Sequence, residues 1–457
     1  MGNNRYQIDM LSGSLAKKML IFALPLIASS LLQQMFNTAD IIVVGRFAGA
    51  HALASVGACG SLINLFVTFF VGFSLGSNIV ISRATGRKDF EHVHKSVHTA
   101  ILFALLCGLL MAVTGFSLAR RMLNASGVPD DIIDLATVYM RIYFLGTPAS
   151  LLYNFGASIL RTQGDTKRPL FFLTAAGILN VGLNLFFVIV LHMSAAGVAL
   201  ATILSQYLSA VLVIRCLILD KGYIRLEPRK LHIHKSHMLE ILRAGLPAGL
   251  ENSMYSISNV VIQSAINSFG STVVAAGSAV SNINGILSVP NASINQTVVT
   301  FSSQNRGAEK YDRIDRALLT GMLYSSSFSL LLGVSAAIFG RQLLSVYAPG
   351  ETEVIQEGLL RLRCMMPFLF CAGILGSLAS TLRGLGYSIS PTSITLVGTC
   401  IFRLIWVATV LPLHRTTLML YIIWPITWTI TAIVMGIYFL NIRKKVYPKK
   451  DAPLAAS

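Results

Sequence analysis

About twelve apolar runs follow one another through the 457 residues of this chain, each near the roughly 20 residues that a helix needs to cross a bilayer. They fall at 17–45, 52–80, 96–118, 134–160, 169–192, 195–217, 240–267, 273–300, 317–340, 355–382, 391–412 and 416–440. Hydrocarbon offers the backbone no hydrogen-bond partners, so a spanning segment must be a helix or a strand of a closed barrel. Barrel strands would show weak ten-residue alternation instead of long continuous runs. The expected fold is an all-α polytopic membrane protein with 12 transmembrane helices. Only 12% of residues are charged and mean hydropathy is +0.68, against roughly 25% charged in soluble domains. That excludes a soluble globular enzyme, a disordered chain, collagen and a disulfide scaffold. The first run follows a polar start and is too long for a signal-peptide core, so it reads as a retained span.

The net charge of +17 invites a nucleic-acid reading, but position argues against one. With the N-terminus inside, 27 of the 36 Lys and Arg residues fall in inner loops and ends, and 5 fall in outer loops. That asymmetry is the positive-inside pattern, which places both termini in the cytoplasm. The sequence has no Gly-Lys pair, no H-E-x-x-H and no C-x-x-C, so no nucleotide or metal motif is present. The six cysteines are scattered through apolar runs and read as small buried hydrophobes. No catalytic constellation survives, and the chain is not read as an enzyme.

The chain repeats itself. Residues 160–169 (LRTQGDTKRP) and 382–391 (LRGLGYSISP) share L-R-x-x-G-x-x-x-x-P at an offset of 222, as do Leu24-Pro25 and Leu246-Pro247. Gly86 and Gly307 are offset by 221, and Pro148 and Pro367 by 219. The expected organisation is an N-lobe over 1–215, a basic cytoplasmic linker over 216–239, a C-lobe over 240–440 and a basic tail over 441–457. Each half has an even number of spans, so the repeats insert the same way up, which gives two six-helix bundles related by a pseudo-two-fold along the membrane normal. Two matched bundles around a central cleft suit alternating access.

Charged groups within spans cost about 2.5–3.5 kcal/mol on the insertion scale, so each needs a reason. Asp40 stands out. Gln33, Asn37 and Asp40 share one face of the first span, and no basic residue is near in sequence. The fifth span carries Asn180 and Asn184, and the sixth carries Thr202. At 1.5 Å per residue, Asp40, Asn184 and Thr202 lie at one depth, roughly 9–12 Å below the outer surface. A carboxylate, two amides and a hydroxyl at one level suit a proton or Na⁺, since hard oxygen ligands favour a hard cation. No other metal site and no cofactor is read. The competing explanation is helix-to-helix hydrogen bonding. Glu251 is a second titrating group or a cation contact, or else a partner for Arg243 or a water-exposed group at the cleft floor. The substrate cleft is expected to involve Gln33, Gln34, Phe36, Asn37, Tyr139, Asn154, Glu251, Met254 and Tyr255, where aromatic faces and methionine sulfur would meet lipophilic cations. Arg141, Arg361, Arg363 and Arg403 read as snorkelling residues near span ends, Trp406, Trp424 and Trp428 as interfacial anchors. The histidines at 92, 94 and 98 and at 232, 234 and 237 read as solvated loop faces.

These features together resemble the MATE (multidrug and toxic compound extrusion) transporters: twelve spans in two parallel halves, the paired Leu-Pro, Asp40, the T-G-R-K-D and N-R-G loops, and the paired L-R-x-x-G-x-x-x-x-P. The resemblance covers about residues 15–440. It implies an antiporter that exports organic, often cationic, compounds against H⁺ or Na⁺, and a monomer among membrane lipids in a bacterial plasma (inner) membrane. By resemblance, Asp40 matches the first-span acidic position, and Asn180 and Thr202 match N-lobe site positions. Asn184 stands where many relatives have Asp, which tilts the expectation toward H⁺. Tyr255 and Ala372 stand where the NorM-like branch has acids, so the chain looks closer to the DinF-like and MepA-like branch. The alternative is a lipid or lipid-linked oligosaccharide flippase of the same wider superfamily. Such a protein needs a cationic cleft, and arginines placed at span ends argue against it.

Overall fold

The computed structural model describes residues 6–447. Arg5, and the tail from 448 with Lys449 and Lys450, lie outside the described residues. The chain forms twelve spans. In the first half these are α1 (Leu15–Val43, ending in a π turn, Val44–Ala48), α2 (Ala50–Arg87), α3 (Phe90–Ala125), α4 (Asp130–Leu145 and Thr147–Thr162), α5 (Lys167–Leu185, ending in a π turn, Phe186–Val190) and α6 (Ser194–Leu219). In the second they are α7 (Lys235–Asn267), α8 (Ser271–Leu287 and Val289–Gly307), α9 (Tyr311–Ile338), α10 (Thr352–Met365 and Leu369–Gly384), α11 (Ile389–Thr395, a π turn Leu396–Ile401, and Phe402–Leu413) and α12 (Thr417–Tyr421 and Ile423–Val446). Ten of these segments are long and apolar enough to cross a membrane on those grounds alone. The other two have local causes. In α4 the run is diluted by Arg141, Gly146, Thr147, Pro148, Ser150 and Asn154. In α7 the run is diluted by Glu251, Asn252, Ser253, Ser256, Asn259 and Gln263.

The two bundles meet along the half of the molecule that carries the described chain ends. Close approach is set by glycine. A Cβ added at Gly72 would fall on the Gly249 backbone, at Gly76 on the Ile241 carbonyl, at Gly86 on the Gln304 carbonyl, and at Gly307 on the Arg83 carbonyl. Further along α2, Gly57 and Gly60 have nothing within 4 Å of such a Cβ. The bundles are therefore shut at the terminal face and part toward the opposite one. Helix α1 crosses over to the second bundle, where Phe22 meets Phe301 edge-on, with ring centroids 5.6 Å apart, among Met19, Leu26, Val298 and Ala317.

The pseudo-two-fold has a direct signature. A Cβ at Gly86 would fall on the Gln304 carbonyl and one at Gly307 on the Arg83 carbonyl, so two pairs of counterparts at an offset of 221 exchange the same contact across the axis. Beside it the buried Thr300 hydroxyl donates to Asn78 Oδ1 at 2.9 Å and ties α8 to α2. The ends of α2 and α8 match as well: Lys88 (φ 60°) and Glu309 (φ 57°) both take the left-handed conformation that ends a helix.

The connector between the bundles is held rather than free. His98 is 1% exposed, not on a solvated face. Its Nδ1 meets the His94 carbonyl at 2.8 Å, and its Nε2 accepts the Glu227 backbone N–H at 3.0 Å. That pairing requires a neutral ring with the proton on Nδ1. Next to it the Thr99 hydroxyl accepts the His234 backbone N–H at 3.2 Å. Desolvation, then the neighbouring His232, push the His234 imidazole below its ordinary value. A histidine with a depressed folded-state value binds fewer protons folded than unfolded, so stability falls as pH drops from about 6.5. Melting curves between pH 7.5 and 5.5 should therefore show a loss of stability that is smaller in His234→Gln. An equal loss in both proteins would remove His234 from the cause.

Candidate functional site

Helix α1 carries Asp40 one turn before its π turn, a local widening that recurs where helices serve a site. Asn180 and Asn184 project from α5, four residues apart and so on one face, and Thr202 from α6. The fold brings all four together. Asn184 Nδ2 donates to Asp40 Oδ1 at 2.5 Å and to Asn180 Oδ1 at 3.3 Å. Asn180 Nδ2 reaches the Thr202 hydroxyl at 3.5 Å. That hydroxyl has a single proton, and its shorter contact is with the Val198 carbonyl (2.9 Å), against 3.5 Å to Asp40 Oδ2. Asp40 Oδ2 is thus left poorly served, and Asn184 Oδ1 is buried with no hydrogen-bond partner. Among the described residues no Lys or Arg pairs with Asp40, whose side-chain partners are Asn184 and Thr202. An uncompensated carboxylate beside an orphaned amide oxygen is an arrangement that gains from a bound proton or small cation.

The remaining residues expected at the cleft scatter more. Tyr139 is 8% exposed and lies close enough to feel the charge of Asp40. Phe36 packs on α5 at Gly177, where any Cβ would collide with its ring; it sets the spacing of α1 and α5. Gln33, Gln34 and Asn37 are exposed along α1. Asn154 is half-buried and donates to the Ser150 carbonyl within its own helix at 2.8 Å. Met254 is half-buried, and Tyr255 accepts from the Thr399 hydroxyl at 3.0 Å. Glu251 does have an arginine partner, but it is Arg383 on α10, not Arg243, and the Thr392 hydroxyl also donates to it at 2.9 Å. This pair ties α7 to α10 and α11 near the terminal face, away from Asp40.

Two expectations about charge and aromatics are corrected. Arg361 and Arg403 do not snorkel: they are 5% and 3% exposed inside the second bundle. Trp424 and Trp428 are 8% and 9% exposed, core residues rather than interfacial anchors. Arg363 is exposed, and Arg141 is half-buried, reaching the Phe116 carbonyl at 3.3 Å. A depth count could have found the first pair: Arg361 is nine residues from the start of α10 and Arg403 ten from the end of α11, roughly 14–15 Å from the face opposite the termini.

The comparisons with known proteins agree with this architecture. The MatE family model matches twice, over residues 25–186 and 247–409, so the two matched copies begin 222 positions apart. The probable multidrug resistance proteins YoeA and YpnP of Bacillus subtilis are similar, at 27% identity over 94% of this chain and 95% of theirs, and at 26% over 86% and 88%. A solved transporter of the MOP superfamily from Pyrococcus furiosus superposes with a TM-score of 0.90 at 21% identity, covering 96% of this chain and 98% of that one. With two copies of one family model spanning most of both bundles, and a twelve-helix, two-lobed fold to match, the chain belongs to the MatE family of multi-pass membrane transporters.

Proposed function

We propose that the chain is a secondary active antiporter that exports organic, mainly lipophilic cationic compounds in exchange for H⁺ or Na⁺. Both termini and the closed terminal face lie in the cytoplasm of a bacterial inner membrane, and the chain works as a monomer. The observation that carries this is the lone carboxylate of Asp40, held by Asn184 and served weakly by Thr202. When a proton or Na⁺ occupies this site it cancels the charge that attracts a cationic substrate. When it leaves toward the cytoplasm, the next substrate binds. Downhill ion entry supplies about 2.3 kcal/mol per charge per 100 mV, besides its concentration gradient. The relatives' names, multidrug resistance proteins, support the export of varied compounds.

The test is uptake of rhodamine 6G by proteoliposomes under a pH gradient and, separately, a Na⁺ gradient. Transport under one of them names the ion. Absence of transport under both contradicts the antiporter. A lipid flippase is the second reading, favoured by one observation: Arg361 and Arg403 sit inside the second bundle rather than at span ends. It predicts accelerated transbilayer movement of a fluorescent phospholipid in the same vesicles with no gradient imposed.

A further inference from the structure

The second bundle contains a charged cluster that the coupling site does not use. The Arg361 guanidinium lies over the Trp424 ring at 5.3 Å and over the Tyr421 ring at 5.7 Å. The Arg403 guanidinium lies over the Trp424 ring, also at 5.3 Å. Trp424 therefore stands against both cations. Arg361 is otherwise held by one bond, Nη1 to the Gly277 carbonyl at 3.0 Å, and Arg403 by two to the Thr427 hydroxyl at 3.2 Å. Among the described residues no carboxylate lies within ion-pair distance of either guanidinium. The nearest acid by sequence, Glu357, sits one turn before Arg361 and beside Tyr421. Arg361 Nε is buried without a hydrogen-bond partner, whereas Tyr421 and Glu357 face each other. A buried guanidinium offers five donors, and leaving it unpaired costs far more than a cation–π contact returns.

The position of the cluster says what it is for. Thr202 and Ser205 of α6 have Trp424 and Thr427 of α12 as counterparts 222 positions later. Ser205 and Thr427 are both hydroxyl residues, each bonded back to the carbonyl four residues earlier at 2.8 Å. The π turn at Leu396–Ile401 inserts one residue into α11. Arg403 thereby falls at the counterpart of Asn180, offset 223. By these offsets Asn180, Thr202 and Ser205 of the first bundle pair with Arg403, Trp424 and Thr427 of the second. The counterpart of the half-buried Asp40 is Ile262, which is buried. The same cradle carries an acid in one bundle and guanidinium groups in the other, at similar depths from the face where the bundles part: about 12 Å for Asp40 and roughly 14–15 Å for the arginines.

We propose that Arg361 and Arg403, with Trp424 between them, form an anion site that takes the carboxylate or phosphate group of an aromatic substrate. Asp40 attracts positive charge and this site receives negative charge, so the transported class extends to zwitterionic and anionic amphiphiles. The proposal deepens the antiporter reading and rests on it. The same chemistry could be offered by a free inorganic anion, and the experiment separates the two.

The probes are rhodamine 6G, a cationic ester, and its free acid, which has the same fluorophore with a carboxylate. Binding to the full chain in nanodiscs is followed by fluorescence anisotropy. Arg403→Gln should weaken the free acid at least about tenfold, as loss of charge-assisted hydrogen bonds would, and leave the ester within about twofold. Arg403→Lys should recover part of the loss. Phenyl phosphate should displace the free acid from the unsubstituted protein and spare the ester, a measurement that does not depend on any variant folding. Displacement by inorganic phosphate or chloride at equal concentration would assign the site to a free ion and overturn the substrate proposal. So would equal effects of Arg403→Gln on both dyes, which would mark the Arg–Trp–Arg stack as a brace. Failure of the ester to be transported under any gradient would instead sink the antiporter reading, so the two failures are distinguishable.

Discussion

Asp40→Asn is expected to abolish gradient-driven dye transport, a loss of at least about a hundredfold, while the protein remains folded. The substitution keeps the shape of the side chain and one oxygen for Asn184, but removes the charge and the ability to exchange a proton. Stability should hold or rise, because the wild-type carboxylate is half-buried with no cation to offset it and burying an unpaired charge is costly. The measurement is transport together with a melting curve. Transport lost with the melting temperature kept, or raised, assigns Asp40 to coupling. Loss of folded protein in the same proportion would make Asp40 a structural staple. Asn184→Leu gives the complementary expectation. It removes the donor at Asp40 Oδ1 from a position that is 1% exposed, and should cost coupling in the same uptake assay.

The second large effect concerns the shut terminal face. Gly72 and Gly249 touch backbone to backbone, and no rotamer change can relieve a Cβ there. Overpacking of this kind costs about 1–3 kcal/mol, enough to shift an equilibrium between two conformations by about 5- to 150-fold. Gly249→Val should therefore move the population toward a state parted at the terminal face. Spin labels at Lys88 and Glu309, the matched exposed ends of α2 and α8, should report a longer distance. Gly57→Val is the control, because nothing lies within 4 Å of the added carbon, and its distance distribution should match the unsubstituted protein. An unchanged distance in a folded Gly249→Val protein would show that the glycines do not hold this face shut.

Much of the fold was legible because membrane helices announce themselves one at a time. Each apolar run is a local signal, and the offset of 222 between paired motifs organises the runs without any contact being known. The four N-lobe polar residues were legible for the same reason. Helical spacing placed Asn180 and Asn184 on one face, and rise per residue placed Asp40, Asn184 and Thr202 at one level. Partner choice was not legible. Glu251 was matched to a nearby arginine, yet it pairs with Arg383, 132 positions away. Sequence distance carries little information once helices pack. The arginines and tryptophans of the second bundle were misplaced by a prior about where such residues prefer to sit. In the structure Arg361 and Arg403 lie buried against Trp424, Tyr421 and Thr427, partners that only helix packing brings to them. His98 reads as a solvated loop residue in the sequence, but the connector returns from Glu227 to cover it. The glycines of α2 gave no signal alone; their meaning lies in Gly245, Gly249 and the α8 backbone, which only packing brings into contact.

Competition at Asp40 is the central claim, and one titration tests it most directly. The dissociation constant of rhodamine 6G for the purified chain is measured against pH at fixed Na⁺, then against Na⁺ at fixed pH, for the wild type and Asp40→Asn. The expected result is that binding weakens as one of the two ions rises, by up to tenfold per pH unit or per decade of Na⁺, and that this dependence is flat in Asp40→Asn. Dye binding indifferent to both ions, or an ion dependence that survives the substitution, would contradict the exchange of ion for substrate at this carboxylate.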